Sequence, residues 1–370
     1  MLPIEFRKTI PALDKTTYLN AGAGSPSSNL VLDSMSEKLR EHGCDAPINN
    51  DMYPSAFGTF DRTRDAIGDF INTVPENVAL TQSTADGINR VASSIQWEEN
   101  DTIVRTDLEH SSGILPWRRL RRNKNINIEV LKTEQGKLDL DTVIDAVTSS
   151  RLLCISSTSW NYGTQLPVSS IVDIAHDAGA KVLVDAVQSV GQTPVDVDEW
   201  GADFVAAASH KWMVGPWGAG FVYIDENVAP TLKPPHVGYR SIVDPDSHSY
   251  EWKSGAQRLE VGTTSPAPYV GLQSAIETLE SIDLDVITNH INDLTEKLKS
   301  EIPANNLLSP RAYESGLVTI AVENLPQTME RLSTEGIQVR PLQSLGAIRV
   351  SVHVFNTESD INSLLSSLKY

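Results

Sequence analysis

The chain has 370 residues, 40% hydrophobic and 21% charged, with a net charge of −18. That is room for one large domain and a smaller one, in an ordinary globular balance. The acidic excess argues against nucleic acid as a partner, because a phosphate backbone needs a basic face.

In chain order, residues 102–105, 151–156, 181–185, 204–208 and 220–224 are short apolar runs of strand length. Between them lie helix-period stretches such as 168–178, with Gly179 placed to stop the helix. This alternation predicts an α/β fold: a mostly parallel sheet with helices on both faces. After about Gly255 the texture changes. Two long helical patterns, 269–282 and 285–300, precede strands at 317–322 and 347–352 and a final amphipathic helix at 358–368. The expected division is a large domain over 15–255, with 1–14 and 256–370 forming a smaller α+β domain. No run reaches the ~18 apolar residues of a membrane span, and residues 1–8 lack an apolar signal-peptide core. Cys44 and Cys154 are too far apart to suggest a disulfide framework. Cys154, in Leu152-Leu153-Cys154-Ile155, reads as buried packing. The expectation is a cytoplasmic protein with no membrane partner. The acids are spread along the chain, which reads as solubility; a salt-adapted host is the alternative.

The segment Ala208-Ser209-His210-Lys211-Trp212-Met213-Val214-Gly215-Pro216 places one lysine between an apolar run and a Gly/Pro-rich loop. Upstream, Val182-Leu183-Val184-Asp185 ends a short buried strand in an acid. In α/β sheets ligands bind beyond the carboxyl ends of the strands, where both residues fall. A lysine amine that forms a Schiff base, with a carboxylate to hold a pyridine nitrogen protonated, points to pyridoxal phosphate. Asp185 as a helix N-cap is the plainer alternative.

Further motifs follow the same order as in a known superfamily. They are Thr81-Gln82-Ser83-Thr84-Ala85, Leu108-Glu109-His110-Ser111, Trp160-Asn161-Tyr162-Gly163, Asp185 with Gln188, Ser209-His210-Lys211-Trp212, Glu260-Val261-Gly262-Thr263 and Ala347-Ile348-Arg349-Val350. From Tyr18 to the last helix the chain resembles class V aminotransferases of pyridoxal-phosphate fold-type I. This superfamily includes cysteine desulfurases, selenocysteine lyases and isopenicillin-epimerase-like proteins. The resemblance implies Lys211 as Schiff-base lysine, Asp185 as partner of the pyridine nitrogen and His110 as the histidine stacked on the ring. It implies Ser83, Thr84, Ala85, Ser209 and His210 at the cofactor phosphate, and Gln188 and Asn161 at the ring hydroxyl. Asn161 and Arg349 would hold the substrate, with the Arg349 fork on its α-carboxylate. Thr263 would reach the phosphate of a partner subunit, so a homodimer is implied. Many relatives carry serine where Ala208 stands. No metal site is assigned. Tyr53, His236, Tyr239 and Arg240 lie in Pro/Gly-bounded loops and are not assigned to the site.

Desulfurases carry a nucleophilic cysteine on a loop shortly before the substrate arginine. The matching stretch here, Gln338 to Ala347, is short and has none. Persulfide formation on an enzyme thiol is therefore not expected. The leading expectation is a lyase that eliminates a sulfur-containing or similar β-substituent from an amino acid. Transamination and epimerisation are the alternatives. A non-catalytic relative would be expected to have lost one of Lys211, Asp185, His110 and Arg349, and all four are present.

Overall fold

The computed structural model describes residues 1–368. Lys369 and Tyr370, which close the expected smaller domain, lie outside the described residues. The strands are β1 (Thr17–Tyr18), β2 (Val78–Thr81), β3 (Thr102–Thr106), β4 (Asn127–Leu131), β5 (Leu152–Ser156), β6 (Lys181–Asp185), β7 (Phe204–Ala208), β8 (Gly220–Ile224), β9 (Leu317–Ala321), β10 (Ile337–Gln338), β11 (Arg340–Leu342) and β12 (Ala347–Ser351).

Seven of these form the main sheet in the order β2-β8-β7-β6-β5-β3-β4. The run from β7 to β4 is parallel, because helices such as Leu115–Lys124, Leu140–Val147 and Val168–Asp177 carry the chain back between strands. The β7–β8 connection holds only a short turn around Lys211, so β8 runs antiparallel, and β2 pairs antiparallel with it. The α/β architecture expected from the alternation is the one found.

Strand periodicity explains the two covered faces. In β6, Val182 and Val184 pack into one core with Ile171, Val172 and Ala175 of the helix Val168–Asp177. Leu183, between them, packs on the opposite face with Ile88 and Val91 of the helix Thr84–Ser94 and with Trp117. Each such fully buried side chain contributes about 1.5–3 kcal/mol. The Val168–Asp177 helix ends where Gly179 adopts φ +81°, as the sequence predicts.

A second sheet, β11-β12-β9, packs Val318, Ile320, Ile348 and Val350 against Leu294, Leu298, Ile361 and Leu364. Two features depart from a boundary at residue 15 and another at 255. β1 pairs in parallel with β10, and the Ser351 amide donates to the Leu19 carbonyl, so residues 17–20 run along the C-terminal strands. The helix Ala267–Ile282, in turn, puts Tyr269, Leu272 and Ile276 into the core of the large sheet beside Phe60 and Ile67. Arg7, in the first dozen residues, does pack on the C-terminal region, with bonds to Asp360 and the Phe355 carbonyl. Among the described residues no helix is long and apolar enough to cross a membrane.

Candidate active site

The parallel register aligns the carboxyl ends of β5, β6 and β7, with Ser156 opposite Asp185 and Asp185 opposite Ala206. The loops beyond these ends, the β3–β4 loop and residues 22–23 enclose a cavity of about 410 Å³. Its wall includes Ser83, Thr84, Ala85, His110, Gln188, His210, Lys211 and Arg349. Gly22 brings the N-terminal segment to this wall: an added Cβ would lie 2.7 Å from Leu317 Cδ2 and 3.1 Å from Arg349 Nη2.

Lys211 follows β7 in a tight loop, where the Val214 amide bonds back to the Lys211 carbonyl. Val214 has φ +54°, a left-handed conformation unusual for a β-branched residue, so the loop holds local strain. The lysine is partly exposed to the cavity. Burial pushes its amine down to about 8, Asp185 opposes that shift, and Arg349 and Arg340 add to it. Asp185 is 3% exposed. Its Oδ1 accepts from the Val187 amide at 3.1 Å, and its Oδ2 accepts from the Ser112 hydroxyl at 3.2 Å. No helix starts here, so the N-cap alternative gives way to an Asx-type turn. Burial raises the Asp185 carboxyl, and Lys211 is the largest of the charges opposing it.

The helix Thr84–Ser94 points its N-terminus at the cavity. Ser83 caps it, accepting from the Asp86 amide, so the Ser83 oxygen is already engaged. The Thr84 hydroxyl is buried without a partner. Free amides and an unpartnered hydroxyl together fit a phosphate. His210 packs tilted against Trp217 with centroids 4.5 Å apart and planes at 35°, and burial, with Lys211 adding, holds its ring down to about 4, so it is neutral. The exposed His110 ring lies edge-on to Trp160 at 5.7 Å.

Two residues, Ser209 and Asn161, sit differently from what the sequence suggested, and Gln188 and Thr263 have contacts of their own. Ser209 is fully buried and does not line the cavity. Its hydroxyl donates to the Pro216 and Ala219 carbonyls, so it braces the lysine loop and is turned away from the phosphate end. Gln188 lines the cavity, but its amide donates to the Gly22 carbonyl at 3.0 Å and its oxygen accepts from Trp212 Nε1 at 2.7 Å. That leaves one N–H for a ring oxygen. Asn161 does not line the wall, and its side-chain oxygen is buried and unpartnered. Thr263 is exposed, pairs with the Tyr239 hydroxyl at 2.7 Å and lies outside this cavity.

Arg349 is 2% exposed. Nη1 donates to the Trp160 carbonyl at 2.7 Å, and Nε has no partner. No carboxylate pairs with it among the described residues. Burial pushes the guanidinium down to about 9, Arg340 adds to that, and Tyr18 opposes it. A buried cation without a counter-ion is costly, and an incoming carboxylate relieves the cost.

Sequence reasoning missed Glu109, which precedes His110. It is 4% exposed and accepts from the Thr106 hydroxyl, the Ser156 amide and the Ser156 hydroxyl at 2.7–3.0 Å. It therefore ties the His110–Ser112 turn to the end of β5. The available signal was an acid beside Leu108 at a strand end. Burial raises its carboxyl to about 7, well above 4.5. The folded chain therefore holds a proton that the unfolded chain releases near 4.5. The stability this brings is complete below 4.5 and is lost as pH rises through 7. Glu109→Gln should flatten the fall in melting temperature of the ligand-free protein between pH 5 and 8; an unchanged slope would clear Glu109 of the effect.

Residues 17–364 match the sequence profile described as aminotransferase class-V. The chain belongs to the aminotransferase class-V family. Family membership makes it a pyridoxal-phosphate enzyme acting on amino acids, and the residues fit that cofactor: a lysine in the cavity, an acid behind it and an unpartnered hydroxyl at a helix N-terminus. The chain is 30% identical to a probable cysteine desulfurase of Methanothermobacter thermautotrophicus over 99% of its length and 97% of the relative's. It is 25% identical to a cysteine desulfurase of Haloferax volcanii over 96% and 90%. The apo structure of a cysteine desulfurase from Thermococcus onnurineus NA1 superposes with a TM-score of 0.91 at 27% identity, covering 99% of this chain and 97% of that one. A cystine C–S lyase in complex with cysteine persulfide shares the fold, with a TM-score of 0.91 at 24% identity over 96% and 98%.

Proposed function

We propose that this class V enzyme is a C–S lyase that eliminates the β-substituent of an amino acid without forming a persulfide on an enzyme thiol. The observation that carries this reading is the β11–β12 turn. It consists of Gln343–Leu345 and Gly346, with no cysteine. Cys44 is exposed, Cys154 is buried in β5, and neither lines the cavity. Burial and Glu109 push the Cys154 thiol well up, so it is an inert thiol.

The helix N-terminus at Thr84 and the neutral His210 would hold the cofactor phosphate, and Asp185 would hold the ring nitrogen. When bound, pyridoxal phosphate supplies an electron sink for the bond broken at the substrate α-carbon. Arg349 binds the α-carboxylate and fixes which Cα bond faces the lysine. The Lys211 amine, neutral above about pH 8, takes the α-proton. The electron pair left at Cα then expels the β-substituent as a thiolate, which collects a proton. Hydrolysis of the remaining enamine gives pyruvate and ammonia.

We read the enzyme as a homodimer with Thr263 serving the neighbouring site. Exposed Ile48, Met52, Tyr53, Phe57 and Val261 support that reading. Two thiols left free fit the cytoplasm. The deciding experiment mixes the cofactor-loaded protein with cysteine, cystine, alanine and larger amino acids. Pyruvate with released sulfur supports elimination. A pyridoxamine spectrum reversed by a 2-oxo acid would replace it with transamination.

The depressed amine also predicts how the ligand-free chain captures its cofactor. Only the neutral amine attacks the aldehyde. The capture rate, read by visible absorbance, should rise about tenfold per pH unit up to a midpoint near 8 and then level. A rate still climbing beyond pH 9.5 would mean that Lys211 is not depressed.

A further inference from the structure

Among the described residues five ionisable side chains line the cavity: His110, His210, Lys211, Arg340 and Arg349. No acid does, although the chain has 48 acids and 30 lysines and arginines. The reaction above uses His210, Lys211 and Arg349, and the family resemblance places His110 on the cofactor ring, which leaves Arg340 without a role. Arg340 is exposed, and its side chain makes no hydrogen bond or ion pair among the described residues.

Its placement is specific. Arg340 in β11 lies directly opposite Arg349 in the antiparallel register with β12. Paired residues of adjacent strands project to the same face of a sheet, with Cβ atoms about 5 Å apart, and like charges placed so repel. The Arg340 charge lowers the proton affinity of Lys211, His110 and Arg349 together, so it acts across the whole cavity. The single turn Gln343–Leu345 closes the hairpin tightly and leaves this guanidinium facing the cavity. One α-carboxylate engages one arginine fork bidentately, and Arg349 is the buried one. The second fork has no anion in the reaction as written.

We infer that Arg340 is a specificity residue for a second anion, carried on the substrate's side chain beyond Cβ. The class is an amino acid with a β-linked carboxylate or sulfur oxyanion. This rests on the reading of the cavity as an amino-acid site and is independent of which bond is broken.

The test is equilibrium binding to the cofactor-loaded enzyme, read by its visible spectrum, for wild type and Arg340→Gln. The probes are S-methylcysteine, its anionic counterpart S-carboxymethylcysteine, and cysteine sulfinate. Wild type should bind one or both anionic probes more tightly than S-methylcysteine. Arg340→Gln should weaken those by about 10- to 100-fold and leave S-methylcysteine within about threefold. Selective loss for S-carboxymethylcysteine identifies a carboxylate, and for cysteine sulfinate a sulfur oxyanion. An equal loss for all three would overturn the inference and make Arg340 a second clamp on the α-carboxylate. No loss for any would leave it a solvated surface group and also overturn it. Product analysis on the same samples tests elimination separately, because the spectral titration registers binding whatever is released.

Discussion

Lys211→Ala will abolish turnover, with kcat falling by at least about 10⁴-fold. Among the described residues Lys211 is the one amine in the cavity, and no histidine replaces it: burial holds both His110 and His210 below their ordinary range, and His110 is engaged with Ser112. The same substitution should spare cofactor binding at the helix N-terminus, because Thr84 and the free amides are unchanged. Borohydride should fix the cofactor to the wild-type chain and not to the variant. Retained turnover would refute the role given to Lys211. Loss of cofactor binding altogether would show that the covalent link, rather than the phosphate end, holds the group.

Arg349→Met should reduce kcat/KM by on the order of 100- to 1000-fold, mostly through KM, because a desolvated charge pair with the α-carboxylate is lost. Its effect on the ligand-free protein should run the other way. Arg349 is buried with one carbonyl partner and no counter-ion, so an apolar side chain of similar length removes an uncompensated charge. The melting temperature should hold or rise while activity collapses. A lower melting temperature with unchanged KM would mark Arg349 as a brace for the Trp160 loop instead. Together the two variants separate proton transfer from substrate capture.

Much of the large sheet was legible because its strands are apolar and its helices amphipathic. β6, β7 and β8 fall at the expected residues, since a strand buried on both faces reads as an unbroken apolar run. β4 was not found. Its burial alternates between exposed and partly covered positions at the sheet edge, and Asn127 and Glu129 interrupt the apolar signal. β1 and β10 are two residues each and exist only through each other, so neither has a local pattern to read. Lys211, His110 and Arg349, which line one cavity, and Asp185 behind it were legible as candidates because each stands out chemically from its neighbours. Ser209 was misplaced because a hydroxyl beside the lysine carries no record of its direction. The backbone turn aims it at the Pro216 and Ala219 carbonyls. Glu109 was passed over because its partners, Thr106 and Ser156, lie on two different strands.

By itself the sequence determined which elements form, through apolar periodicity and caps, and which side chains can do chemistry, through residue type. Tertiary structure decided what those side chains meet. Parallel pairing of β5, β6 and β7 set Asp185 behind Lys211, burial moved the amine and the Glu109 carboxyl toward neutrality, and the β11–β12 register set Arg340 beside Arg349. Periodicity and caps act over a few residues, whereas desolvation and charge–charge coupling depend on distances between residues far apart along the chain.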